Sequence, residues 1–188
     1  MKKPRFRKED WLELGLAALS KDGPEAIKLE AICKAAGLTR GSFYYHFEDH
    51  ETFVTGLATH WFKTQTEQVA ETMDAHEATK DQIEALTEAA MQIDYRLELA
   101  MRDLARRIPA VQQIVQQADQ TRLAAVTDLY QARYGISRNE AAELAFLEYA
   151  AFSGLILISP DMDIDAQRTL AARYDHIIET FLRKRSTS

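Results

Sequence analysis

The densest chemistry in the sequence lies in GLTRGSFYYHFEDH, residues 37–50, where Phe43, Tyr44, Tyr45 and Phe47 fall within five positions and His46 and His50 stand four apart. Two histidines at i and i+4 have the spacing of a zinc pair, but the helix is expected to break between them at Glu48 and Asp49 and no third ligand is near, so no metal is predicted. DMDID, residues 161–165, imitates the start of a calcium loop. Ala166 stands where that loop needs glycine and Ala172 where it needs a bidentate glutamate, so acidic capping of the last helix is expected instead. Cys33, the single cysteine, can form no disulfide within the chain and reads as a small core residue. The sequence has no glycine-rich phosphate loop, nucleophile elbow or HExxH. No catalytic residue and no cofactor is predicted, and the protein is not read as an enzyme.

The rings need an element to hold them. In LEAICKAAGLTRGSFYYHF, Leu29, Ile32, Cys33 and Ala36 form one apolar helical face. Gly37 supplies a left-handed turn residue, Leu38 plugs the corner, and Thr39 can cap the next helix through a backbone N–H two or three residues on. At 100° per residue, Phe43 and Phe47 point to the core while Gly41, Tyr44 and Tyr45 point out, with Arg40 in the first turn. The pattern is helix, tight glycine turn, helix, as in DNA-binding domains. Phenol hydroxyls reach phosphates or base edges, rings touch thymine methyls, and glycine permits close approach in a major groove.

Composition supports that placement. The net charge of -6 disfavours polyanions on average, but residues 1–50 hold nine Lys or Arg against eight Asp or Glu, and the rest holds 14 against 21. Lys2, Lys3, Arg5, Arg7 and Lys8 form a basic arm ahead of the first helix. Apolar residues recur at threes and fours throughout, so the fold class is all-α. Breaks are expected at KDGPEA (21–26), AGLTRG (36–41), HFED (46–49), DAHEATK (74–80), RRIPA (106–110), RYGIS (133–137) and SPDMDID (159–165), leaving roughly nine helices. Residues 1–50 are expected to form an N-terminal three-helix helix-turn-helix DNA-binding domain, and residues 51–188 a larger helical ligand-binding and dimerisation domain. The stretch 137–158 is apolar around most of its circumference, which predicts packing inside the subunit on one side and against a second subunit on the other. Glu148 interrupts its longest apolar run, so no membrane insertion is expected. The N-terminus lacks the apolar run of a signal peptide, and the expected location is the cytoplasm.

The stretch LEAICKAAGLTRGSFYYHF resembles the helix-turn-helix of the TetR family of bacterial transcriptional regulators, and residues 8–57 follow that family's N-terminal domain in order. The resemblance implies DNA contacts from Arg40, Gly41, Ser42, Tyr44, Tyr45 and His46. It places Lys28 where the family commonly has Ser or Thr, with reach to phosphate, and His50 where it commonly has Lys. Thr39 joins Ser42 as a cap and phosphate contact. The resemblance further implies an all-helical C-terminal domain that dimerises through its last two long helices and holds a small-molecule pocket. Charges at Phe181 or Ile178 would probe that interface. A helix from about residue 50 to 73 would join the two domains and carry the ligand's effect to the DNA-binding helices.

Within the larger domain Trp61, Phe62, Gln65, Tyr95, Glu98, Leu99, Arg102, Phe146, Tyr149 and Ser153 mix rings with polar groups and are the candidate pocket residues. The combined reading is a homodimeric repressor of a palindromic double-stranded operator, modulated by a small-molecule effector. Two alternatives stay open: a DNA-binding factor of the same fold without an effector, and a helical enzyme or ligand carrier in which the turn is incidental.

Overall fold

The computed structural model describes residues 6–67 and 92–185, and over these the chain is helical without a strand. Helix α1 spans Lys8–Asp22, α2 Leu29–Ala36, α3 Arg40–Tyr44 and α4 His50–Phe62, which runs on into a π-helical turn at Lys63–Glu67. After the undescribed stretch come α5 (Tyr95–Ala105), α6 (Pro109–Tyr134), α7 (Arg138–Ile158) and α8 (Ile164–Arg185). The expected breaks around residues 23, 37, 47, 107, 136 and 160 all fall between helices. The break at 74–80, the far end of the helix expected to reach 73, and arm residues 2–5 lie outside the described residues.

Local sequence sets the ends. Thr39, Asp49, Asp94 and Ser137 each accept from a backbone N–H in the first turn of the helix they precede, and Asp163 does the same for α8, where its Oδ1 takes the Ala166 N–H at 2.9 Å. DMDID is thus a cap, as its sequence predicts. Pro109 opens α6 at a position where its missing N–H costs nothing.

Among the described residues, two cores organise the bundle. The larger runs from Trp11, Leu19, Ile32, Phe43 and Phe47 through Phe53, Leu57 and Trp61 of α4 to Met101 of α5 and Val111 and Val115 of α6. Helix α4 therefore belongs to both halves of the molecule: its first turns close the N-terminal unit and its later turns lie against α6. Gly15 permits the close crossing of α1 and α4, since a Cβ there would meet Leu57 Cδ2 at 2.6 Å and Phe53 Cζ at 2.9 Å. The smaller core joins Tyr130 of α6, Ala141, Leu144 and Ala145 of α7, and Ile178 of α8.

The circumference of α7 is not enclosed within the subunit. Only Ala141, Leu144, Ala145 and Ile156 are fully buried, whereas Phe146, Leu147, Leu157 and Ile158 are exposed. On α8, Leu170, Ile177 and Phe181 are exposed at spacings of seven and four, which puts them on one stripe. By length and composition α7 is apolar enough to cross a bilayer, with a mean hydropathy of 1.6 and 22% of the stretch buried. Its inner face is nonetheless committed to the smaller core and, through Tyr149, to a polar interior.

Candidate nucleic-acid interface

Gly37 ends α2 with φ 65° and ψ 30°, the left-handed conformation its sequence position predicts. The chain reverses there, and the Leu38 N–H returns to the Cys33 carbonyl at 3.0 Å. Thr39 Oγ1 then accepts from the Ser42 N–H at 3.2 Å, which starts α3 two residues after the turn. Phe43 and Phe47 are fully buried against Trp11 and Phe53 at centroid distances of 5.0 to 5.5 Å. Tyr44 and Tyr45 remain 51% and 67% exposed. Two rings fasten α3 and two project from it, with Arg40 and Gly41 on the same open side.

The remaining predicted contact residues are tied to this surface by named partners. Arg40 pairs with Glu30 across the turn, so its guanidinium is held between α2 and α3. Lys28 precedes α2, has no capping bond, and pairs its Nζ with Glu25. His50 Nε2 lies 2.8 Å from the Ile27 carbonyl oxygen and His46 Nε2 lies 3.2 Å from that of Phe6. A carbonyl only accepts, so each Nε2 carries the proton and each Nδ1 is left for another contact. Because Ile27 immediately precedes Lys28, the His50 bond brings Lys28 and His50 to one flank of the motif. Cys33 is buried on the inner face of α2, and burial pushes its thiol up more than Arg40 lowers it. It stays a protonated core thiol.

Residues 12–55 match the family model described as bacterial regulatory proteins, tetR family. The N-terminal domain is that of the TetR family. Among solved structures, a protein assigned as a TetR-family transcriptional regulator from Mesorhizobium loti is similar at a TM-score of 0.69 and 17% identity, over 97% of this chain and 98% of that one. One assigned as a transcriptional regulator from Saccharomonospora viridis, solved with choline, is similar at 0.69 and 15% over 92% and 95%. Salmonella enterica GusR is similar at 0.65 and 18% over 97% and 96%. No curated protein matches the chain in sequence. Residues 12–55 therefore form a TetR-family helix-turn-helix DNA-binding domain, and the whole chain shares the all-helical fold of these solved structures, with a larger helical C-terminal part.

Behind the TetR-family domain, four of the candidate pocket residues converge. Glu98 of α5 is fully buried, and its Oε1 lies 2.9 Å from Arg102 Nη2 and 3.0 Å from Arg122 Nη1. Arg102 forms a two-pronged pair with Asp119 at 2.7 and 3.1 Å, and Tyr149 OH donates to Asp119 Oδ1 at 2.6 Å. Arg122 donates from Nε to Thr66 Oγ1 at 3.0 Å and lies over Trp61. Burial alone would lower both arginines, but Asp119 and Glu98 for Arg102, and Glu98 with Tyr149 for Arg122, more than reverse it, so both stay charged. The Tyr149 phenol is pushed up to about 12 by burial, with Asp119 adding to the shift and Arg122 opposing it.

The other candidates are placed differently. Tyr95 bonds through its hydroxyl to Gln167 at 3.0 Å and meets the Phe152 ring at 5.7 Å. Phe62 belongs to the main core, and Gln65, Leu99 and Ser153 are half-buried outside the network. Phe146 is 60% exposed on the outer side of α7 and takes no part in the interior. Sequence reading missed Thr66, Asp119 and Arg122. The signal for Asp119 and Arg122 was a charged pair three apart in the middle of α6, between Ala118 and Ala124; Thr66 had none.

Proposed function

We propose that the protein is a homodimeric repressor that binds a palindromic operator and is released or modulated by a small molecule. The observation that carries the reading is the outward side of α3, where Arg40, Gly41, Tyr44 and Tyr45 stand clear of a core that Phe43 and Phe47 fill. Arg40, Tyr44 and Tyr45 serve as base readout and positioning groups; Lys28, Thr39, Ser42, His46 and His50 anchor phosphates around them. One five-residue helix reads few base pairs, so a two-fold partner supplies the second half-site about 34 Å along the duplex. The exposed stripes of α7 and α8 are the surface for that partner.

The effector site is the Glu98–Arg102–Asp119–Arg122–Tyr149 network. It touches Trp61 and Thr66 at the end of α4, where the helix loosens into a π turn, a feature frequent at functional sites. A ligand that repacks Arg122 shifts α4 and, through Phe53 and Leu57, the seat of α3. The complex of the Saccharomonospora viridis protein with choline shows that a chain of this fold accommodates a small ligand. Selection from random duplexes tests the reading: an inverted-repeat site is expected. Recovery of no preferred sequence would overturn it.

A further inference from the structure

Two atoms in the interior network have no hydrogen-bond partner among the described residues: Glu98 Oε2 and Arg122 Nη2, both shielded from solvent. They belong to side chains already bonded to each other, Arg122 Nη1 lying 3.0 Å from Glu98 Oε1. Arg122 Nε is committed to Thr66 and Glu98 Oε1 to Arg102 and Arg122. Buried polar atoms are hydrogen-bonded in the great majority of cases, and a bare charged one costs more than a typical bond contributes. An unanswered acceptor and an unanswered donor on two side chains that are bonded to each other set a definite demand on whatever enters: it must donate to Oε2 and accept from Nη2.

Charge narrows the choice further. The network holds two arginines against Glu98 and Asp119, so these four groups balance. An arriving ion would add an uncompensated charge to a buried site, where its lost hydration is not repaid. An anion that satisfied Arg122 would also confront Glu98 Oε2, and a cation that satisfied Glu98 would confront Arg122 Nη2. We propose that the effector is a neutral molecule with a donor and an acceptor on one small group, a carboxamide, urea or lactam, seated on Glu98 Oε2 and Arg122 Nη2. The proposal rests on the reading of this network as the effector site.

Benzamide, benzoate and benzamidine share size and shape and differ in charge. Titrated calorimetrically into the full chain, benzamide should bind at least about tenfold more tightly than either ion. Glu98→Gln leaves the network one positive charge in excess and should turn the preference to benzoate; Arg122→Gln leaves one negative charge and should turn it to benzamidine. Either variant decides alone if the other fails to fold. A wild-type preference for an ion that still responds to these variants overturns the ligand class and keeps the site. No binding by any of the three, or benzamide binding indifferent to a folded variant, overturns the site itself.

Discussion

The guanidinium of Arg122 on α6 lies 5.3 Å from the ring centroid of Trp61 on α4, and its Nε reaches one turn further along the chain to Thr66 Oγ1 at 3.0 Å. One side chain thereby grips the connecting helix at the point where it passes from α to π geometry. Thr66→Val keeps the volume and removes the acceptor, leaving a buried cationic N–H unanswered. Chemical denaturation should show a loss of roughly 1 to 3 kcal/mol. Wild-type stability in the variant would mean that the contact contributes nothing.

Gly41 on α3 has room for a methyl group: a Cβ there meets only Thr39 Oγ1, at 3.7 Å. Alanine also favours helix by up to about 1 kcal/mol. Gly41→Ala should therefore leave the free protein as stable as before or more so, while weakening operator binding in a gel-shift titration. Equal affinity in the two proteins would place this part of α3 away from the DNA.

Ile177 is 58% exposed on the outer stripe of α8, next to Ile178, which is buried in the smaller core. That corrects Ile178 as an interface probe: its side chain faces its own subunit. Ile177→Glu should give a helical monomer by sedimentation, whereas Ile178→Ala should cost about 2 to 5 kcal/mol of stability through the cavity it leaves. An Ile177→Glu protein that remains dimeric would move the interface elsewhere.

Glu148 of α7 faces Tyr130 and Arg133 of α6 and Tyr174 and Asp175 of α8. Burial raises its carboxyl pKa, with Asp175 adding to the rise, against the Tyr130 hydrogen bond and Arg133. Between the ordinary glutamate value and this raised one the folded state binds more protons than the unfolded, so this group's contribution to stability declines as pH rises through that window. Glu148→Gln should raise Tm at pH 7 to 8, each 1 kcal/mol appearing as about 2 to 4 °C at this length, and change little below about pH 4. A Tm difference of the same size at both pH values would show that the carboxyl's charge is not its cause.

The DNA-binding unit was legible because its signals are local. Gly37, Thr39, Phe43 and Phe47 lie within eleven residues of one another, and each fixes a turn, a cap or a face without help from distant chain. The interior network is the opposite case. Glu98 and Arg102 are visible as an i, i+4 pair, but Asp119 and Arg122 join them only because α5 and α6 pack side by side. Phe146 and Tyr149, three apart on α7, point to opposite destinations, and Ile177 and Ile178 differ by the 100° between neighbours on a helix. Composition alone predicts an apolar helix there and leaves open which side meets the core and which meets solvent or a partner.

The claim that α3 reads DNA is tested most directly by competition binding at fixed salt. Wild type, Arg40→Ala and Tyr44→Ala would each be titrated between the selected operator and a random duplex of equal length. Both side chains are exposed, so the variants should fold and dimerise as the wild type does. Each variant should lose roughly 1 to 3 kcal/mol of discrimination while keeping its salt-dependent affinity for random DNA. Undiminished discrimination in both variants would contradict it.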